Sequence, residues 1–294
     1  MSVQRAAELI LAGRLVAFPT ETVYGLGANA LDAEAVARIF AAKGRPRTSP
    51  LIVHVDSIAM ARGLASEWSQ RAQLLAERYW PGPLTLVVPK RPLVPDIVTA
   101  GLGTVGLRMP AHPLALELIR AAGVPIAAPS ANRFTELSPT AAGHVPDLLA
   151  DYTLDGGPAK VGIESTVLSL VGEAVLLRPG VIPLPEIESL IGPVRIASEA
   201  AEGAHASPGM HERHYRPRTP LYLGAGPGTG RGVVLDMPPD AREFAAVLYE
   251  RLHRADAEGW DWIAVPMPPD TPEWAGVRDR LMRAAERQAG CGPT

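Results

Sequence analysis

An α/β fold in two units, the first built on a mixed sheet, is what this 294-residue chain predicts. Three observations carry that expectation. Helical and strand-like spacings alternate along the chain, two strand-like runs meet at a tight turn, and apolar periodicity lapses over residues 197–219 before it resumes.

Residues 3–12 repeat apolar side chains at helical spacing, and Gly13 stops that helix before a buried strand at 15–18. Asp32 is placed to cap a second helix running to Phe40, and 51–55 reads as the next strand. Further helices are expected at 67–79, 113–122 and 141–149, with strands at 84–88, 105–109 and 126–128. The runs 165–170 and 174–177 flank the turn-prone Val171-Gly172-Glu173, which makes them a hairpin and the sheet mixed. The first unit then spans 1–196 and 197–219 reads as a linker. Residues 220–294 form a small α/β unit with strands at 221–223, 233–236 and 263–265 and helices at 241–257 and 273–289.

With 47% hydrophobic and 20% charged residues, the chain can bury one large or two modest cores. No basic segment, apolar core and cleavage site open it, and apolar runs such as 84–88 fall far short of the ~20 residues that cross a bilayer. A cytoplasmic protein without a membrane span is expected. A lone cysteine, Cys291, excludes an intrachain disulfide and a multi-cysteine zinc site. The net charge of −3 gives no global attraction to nucleic acid, so RNA contact would need a local basic patch.

Several short segments carry the polar chemistry. PTETVYGLG at 19–27 follows a strand and gathers hydroxyls, a carboxylate and glycines that allow close backbone approach; it reads as a pocket wall or as a loop in which Thr20 and Thr22 cap backbone groups. Residues 43–50 place Lys43, Arg45 and Arg47 around Gly44 and Pro46, which suits a polyphosphate and equally suits a solvated basic helix end. Ser130 and Asn132 emerge from the strand at 126–128, where ligands commonly bind. Ser138-Pro139-Thr140 opens the expected helix at 141–149, where hydroxyls and free amides hold an anion or simply cap the helix. No GxxxxGK[ST] loop, complete GxGxxG or GxSxG elbow is present, which argues against P-loop, Rossmann-cofactor and serine-hydrolase chemistry. His205, His211 and His214 lie in a proline-bearing linker, a poor preformed metal site, and no metal ligand is assigned.

Taken in order, PTETVYGLG at 19–27, KGRP at 43–46, PLIVHV at 50–55 and PGPLTLV at 81–87 resemble the YrdC-like threonylcarbamoyl-AMP synthases. GLRMPAHP at 106–113, PSAN at 129–132, IESTV at 163–167 and LRPG at 177–180 extend the resemblance over the first unit. SPGM at 207–210 and His214-Tyr215 resemble the linker of the longer, two-domain form. The resemblance implies a sheet curved around a deep basic cavity, followed by a small Rossmann-like α/β domain. By motif match, Thr22, His54, Arg108, Ser130 and Ser165 contact L-threonine, while Arg45, Ser49, Thr104, Asn132, Thr140, Arg178 and Tyr215 contact ATP. The resemblance implies Lys43 and Arg45 as the catalytic cations, with Thr20, Tyr24, Ser138 and His214 as further candidates for the same site. Two positions depart from the family pattern, which often has asparagine at Ser49 and Ser-Gly at Phe134-Thr135.

The implied reaction joins L-threonine, bicarbonate and ATP into threonylcarbamoyl-AMP and pyrophosphate for tRNA modification, with magnesium entering on the phosphates and a separate complex accepting the adenylate. Hydrogenase-maturation carbamoyltransferases share this core but add cysteine-rich zinc fingers, which this chain lacks. A non-catalytic RNA-binding module is the alternative from another class. Residues 205–217 are expected to close over the site as a lid, because a carbamoyl-adenylate must be kept from water.

Overall fold

The computed structural model describes residues 2–197 and 214–286. Cys291 and residues 205–213 of the expected lid lie outside the described residues.

Helix α1 (Val3–Leu11) buries Ala6, Ala7 and Ile10 and leads into strand β1 (Val16–Phe18). The next segment departs from expectation: part of PTETVYGLG is a strand, β2 (Gly25–Asn29), antiparallel to β1 with Phe18 opposite Gly25. Its glycines serve packing. A Cβ at Gly27 would stand 2.8 Å from the Phe18 ring and from Ile126, so only glycine lets that ring cross the strand. Helix α2 (Ala33–Lys43) starts where Asp32 accepts from the amides of Glu34 and Ala35, and ends at left-handed Gly44.

Strand β3 (Ile52–His54) precedes α3 (Ile58–Leu64), a helix capped by Ser57 and too short to show a clear period. Then come α4 (Gln70–Tyr79), β4 (Leu84–Pro89), α5 (Asp96–Thr99), β5 (Thr104–Arg108), α6 (Pro113–Ala122) and β6 (Ile126–Ala127). The helix expected at 141–149 is only a 3-10 turn, Ala142–His144, because Pro146 lacks the amide that would continue it. Strand β7 (Tyr152–Thr153) joins β1, and β8 (Thr166–Ser169) and β9 (Val175–Arg178) form the expected hairpin. Helix α7 (Leu184–Ile191) and β10 (Arg195–Ile196) follow, and were not expected from sequence.

These strands make one mixed sheet in the order β10-β9-β8-β4-β5-β3-β6-β2-β1-β7. One core packs Val53, Leu86 and Leu107 under Ile39 of α2, Leu75 of α4 and Ile187 of α7. A second packs Phe18 and Ile126 under Ile10 of α1 and Leu118 of α6.

The remaining elements are β11 (Leu221–Leu223), β12 (Gly232–Val234), α8 (Ala241–Ala257), β13 (Trp262–Val265) and α9 (Ala275–Ala284). Their three strands form a parallel sheet in the order β11-β13-β12. The core of this unit, with Phe244, Leu248 and Ile263, also takes in Val23, Leu137 and Ile163 from the first. Backbones meet at two points: a Cβ at Gly162 would lie 2.1 Å from the Ala245 carbonyl oxygen, and one at Gly276 would lie 2.5 Å from that of Gly180. Among the described residues, no helix is long and apolar enough to cross a membrane.

Candidate active site

The sheet brings polar side chains from distant segments to one pocket. Because β3 and β5 run parallel in register, their last residues His54 and Arg108 stand side by side at the same edge. Ser130, just after β6, bridges to Gly25 at the start of β2, and Arg178 closes β9 opposite Val167 and donates to the Ser165 carbonyl oxygen. Thr20, Thr22, Arg45, His54, Arg108, Ser130, Ser165, Arg178, His214 and Tyr215 all line this pocket, together with Glu164. His214 and Tyr215 are the described start of the segment that leads to the second unit, and the bond from the Arg216 amide to the Thr135 carbonyl oxygen at 2.9 Å fixes that segment in place.

Local chemistry shapes each wall. The Thr20 hydroxyl donates to the Val23 carbonyl oxygen at 2.6 Å and accepts from the amides of Thr22 and Val23 at 3.2 Å, which holds the loop between β1 and β2 tight. Arg45 donates to Ser49 Oγ at 2.5 Å and to the Pro50 carbonyl oxygen at 3.2 Å, and its guanidinium lies 5.8 Å from the Phe134 ring. Burial, with Arg178 close by, draws Arg45 down to about 10. Arg108 is fixed by Glu21 at 2.7 Å and by the Gly82 carbonyl oxygen at 3.2 Å. Arg178 spans the Ser165 carbonyl and hydroxyl oxygens, and Ser165 shares a 2.8 Å hydrogen bond with Thr85.

Among the described residues, buried polar atoms on this lining without a hydrogen-bond partner include His54 Nδ1 and the Tyr215 hydroxyl. Burial and the Arg108 charge press His54 down to about 3, so its ring is neutral. Burial, with Glu164 nearby, raises the Tyr215 phenol, which stays a donor. Groups of this kind inside a pocket ringed by Arg45, Arg108 and Arg178 are built to meet a polar, anionic ligand.

Several expected residues lie elsewhere. Lys43, the last residue of α2, turns its ammonium to the Ser130 carbonyl oxygen at 2.6 Å and to that of Asn132, and does not line the pocket. Burial, with Arg45 close by, holds it well below the usual lysine value. Tyr24 points away, with its hydroxyl donating to the Gly157 carbonyl oxygen at 2.8 Å and receiving the Gly156 amide. Ser49 stands behind Arg45, and Thr104 sits at the far end of β5 from Arg108. Asn132 faces a neighbouring cleft shared with His144, Arg216 and His253, where its buried Oδ1 has no partner among the described residues. Thr140 meets His144 Nδ1 at 3.3 Å, and Ser138 donates to Glu164 at 2.5 Å. With no α-helix after Thr140, no helical N-terminus is there to hold an anion.

Three charged residues were missed. Glu21 and Glu164 sit inside quoted motifs, but only the fold shows what they face; Arg280, in α9, belongs to no motif and reaches Glu164 at 2.8 Å. Among the described residues, no group of three histidine, cysteine, aspartate or glutamate side chains is placed to hold a metal.

Comparison with known proteins agrees with this architecture. Residues 8–180 match the Sua5/YciO/YrdC family described as "Telomere recombination", and 182–286 match "Threonylcarbamoyl-AMP synthase, C-terminal domain". A threonylcarbamoyl-AMP synthase of Pyrococcus abyssi is 52% identical over 76% of this chain and 67% of its own, and one of Bacillus subtilis is 41% identical over 96% and 92%. The crystal structure of P. abyssi Sua5 complexed with L-threonine superposes with a TM-score of 0.91 at 41% identity, covering 96% of this chain and 94% of that one. Full-length HypF, at 23% identity and a TM-score of 0.53, shares the fold over 62% of this chain and 29% of its own. This chain belongs to the Sua5/YciO/YrdC family, in its two-domain Sua5 form.

Proposed function

We propose that this chain is an L-threonylcarbamoyladenylate synthase. The observation that carries the reading is the pocket itself, lined by three arginines together with buried polar atoms that have no partner among the described residues, in a relative of a Sua5 solved with L-threonine. Threonine's amine and bicarbonate give a carbamate and water; a carbamate oxygen then attacks the α-phosphate of ATP, and the bond to pyrophosphate breaks. No covalent protein intermediate is needed.

Arg108 is suited to the threonine carboxylate, because Glu21 aims its guanidinium and the neutral His54 beside it adds no competing charge. Thr22, Ser130 and Ser165 supply hydroxyls for the amino acid. Arg45, Arg178 and the Tyr215 hydroxyl line the same pocket, where they offset charge gathering on the departing pyrophosphate. Lys43 acts indirectly by holding the backbone of Ser130 and Asn132. Asn132, on the adjoining cleft, and Thr140, bonded to His144 of that cleft, suit the nucleoside side of ATP, and Ser49 supports it through Arg45. Magnesium enters with ATP, since it keeps several waters and needs few protein ligands. The adenylate is passed to tRNA modification in the cytoplasm, and His214 and Tyr215 form the described end of a closing segment.

The deciding experiment follows pyrophosphate release from ATP, magnesium and bicarbonate with and without L-threonine, in the absence of tRNA. Threonine-dependent release is expected. Release that ignores threonine overturns the reading, and RNA binding that weakens steeply with salt without turnover would favour the RNA-binding alternative.

A further inference from the structure

Arg280 belongs to the second domain, yet what it grips is the wall of the first domain's pocket. It is only 1% exposed. Its Nε donates to Glu164 Oε2 at 2.8 Å, its Nη2 to the Glu164 carbonyl oxygen at 3.1 Å, and its Nη1 to the Pro179 carbonyl oxygen at 2.7 Å. Its guanidinium carbon stands 5.4 Å from the Tyr215 ring. One side chain thus touches the segment before Ser165, the segment after Arg178, and the linker. The backbone contact of Gly276 with Gly180, one turn earlier on α9, keeps it from withdrawing.

The charges explain why this matters. Glu164 lines the pocket and accepts from Ser138 Oγ at 2.5 Å and from the Tyr249 hydroxyl at 3.2 Å. Burial alone would raise its carboxyl, but Arg280 first and Arg178 second outweigh that and hold it at about 2, so it is an anion. Arg178, bonded through its guanidinium to the carbonyl of the next residue, Ser165, is the second cation acting on this carboxylate, and it also lines the pocket. A buried carboxylate deprived of one cation recruits another.

We propose that Arg280 is a positioning residue for the nucleotide end of the pocket: by neutralising Glu164 it keeps that carboxylate from drawing Arg178 away from the phosphates of ATP. The proposal rests on the activity proposed above and makes the second domain part of the binding site. Asp279 supports the arrangement from the same helix, accepting from Arg280 Nη1 at 2.8 Å and from Arg283 Nε at 2.9 Å.

The test uses the full chain and reads ATP affinity by calorimetry, with the melting temperature of each variant as the fold control. Arg280→Met should weaken ATP binding about tenfold or more, and Glu164→Gln with Arg280→Met should recover it to within about threefold of the parent, because no unmatched carboxylate remains. Arg280→Lys keeps the charge and should bind ATP within about threefold of the parent even if it melts lower. A folded Arg280→Met variant with ATP affinity within about twofold of the parent overturns the proposal, as does a double variant that binds no better than Arg280→Met. If Arg280→Met does not fold, the Arg280→Lys variant decides alone: a loss of about tenfold or more would overturn the charge argument. Since affinity is read without turnover, a missing threonine-dependent reaction would count against the proposed activity and not against Arg280.

Discussion

Lys43 and Ser130 are joined by a 2.6 Å hydrogen bond from the lysine Nζ to the serine carbonyl oxygen, and the same Nζ also reaches the Asn132 carbonyl. The end of α2 is thereby tied to the loop after β6. Lys43→Ala would leave both carbonyls without this donor, and an unmet buried acceptor costs about 1–3 kcal/mol. The expected outcome is a lower urea midpoint together with a raised KM for threonine. Loss of turnover with unchanged stability and unchanged KM would instead place the ammonium on the substrate.

Glu21 aims Arg108 with one carboxylate oxygen and accepts the Ala111 amide at 2.9 Å with the other. Both members of the ion pair are buried. Breaking such a pair by removing one charge costs about 3–5 kcal/mol. Glu21→Gln is expected to weaken L-threonine binding by about tenfold or more, with a smaller effect on ATP, as measured by calorimetry. Equal losses for both ligands would show that Arg108 does not discriminate between them.

Acid should loosen the fold in two stages. His54 and His253 are neutral in the native state, held by burial at about 3 and about 4, below the ordinary histidine value of 6.5. The unfolded chain therefore takes up more protons as pH falls from 6.5 towards those values, and stability declines through that window. Glu164, held at about 2 from an ordinary 4.5, contributes stability that is lost as pH falls from 4.5 through about 2. Urea midpoints at pH 7, 5.5 and 4 should fall in order, and His253→Gln should flatten the upper stage. A midpoint constant from pH 7 to 4 would contradict the buried histidines.

A chain ending at Ile196 is expected to fare worse than a lid-less enzyme would. It would uncover Val23, Leu137 and Ile163, which pack into the second domain's core. Each fully buried apolar side chain is worth about 1.5–3 kcal/mol. The truncated chain should melt lower and bind neither substrate well, whereas a native-like melting curve with only turnover lost would restore the idea of a simple cover.

Much of the fold was legible because its signals are local. Asp32 before an apolar period, and the turn at 171–173 between two apolar runs, announce α2 and the β8-β9 hairpin by residue type alone. Strand β2 was hidden because its glycines look like loop residues until Phe18 is seen lying across them. Of the site, Arg45, His54, Arg108 and Arg178 were readable from motifs. That Lys43 and Tyr24 turn away from the pocket is a matter of side-chain direction, which a motif does not encode. Arg280 was invisible for a different reason: its partner lies far away in the chain, and nothing around it in α9 departs from an ordinary helix.

The meeting of the two domains at Gly162 and Gly276 has a bearing on grafting. Where Ala245 approaches Gly162 and Gly180 approaches Gly276, main chain rests on main chain, and even a methyl group would act as a wedge. Compatibility between a first domain and a foreign second domain is then decided less by matching side chains than by keeping two bare spots opposite each other. A transplanted second domain that carries alanine at the position of Gly276 would sit askew, and every arginine that depends on this seating would shift with it.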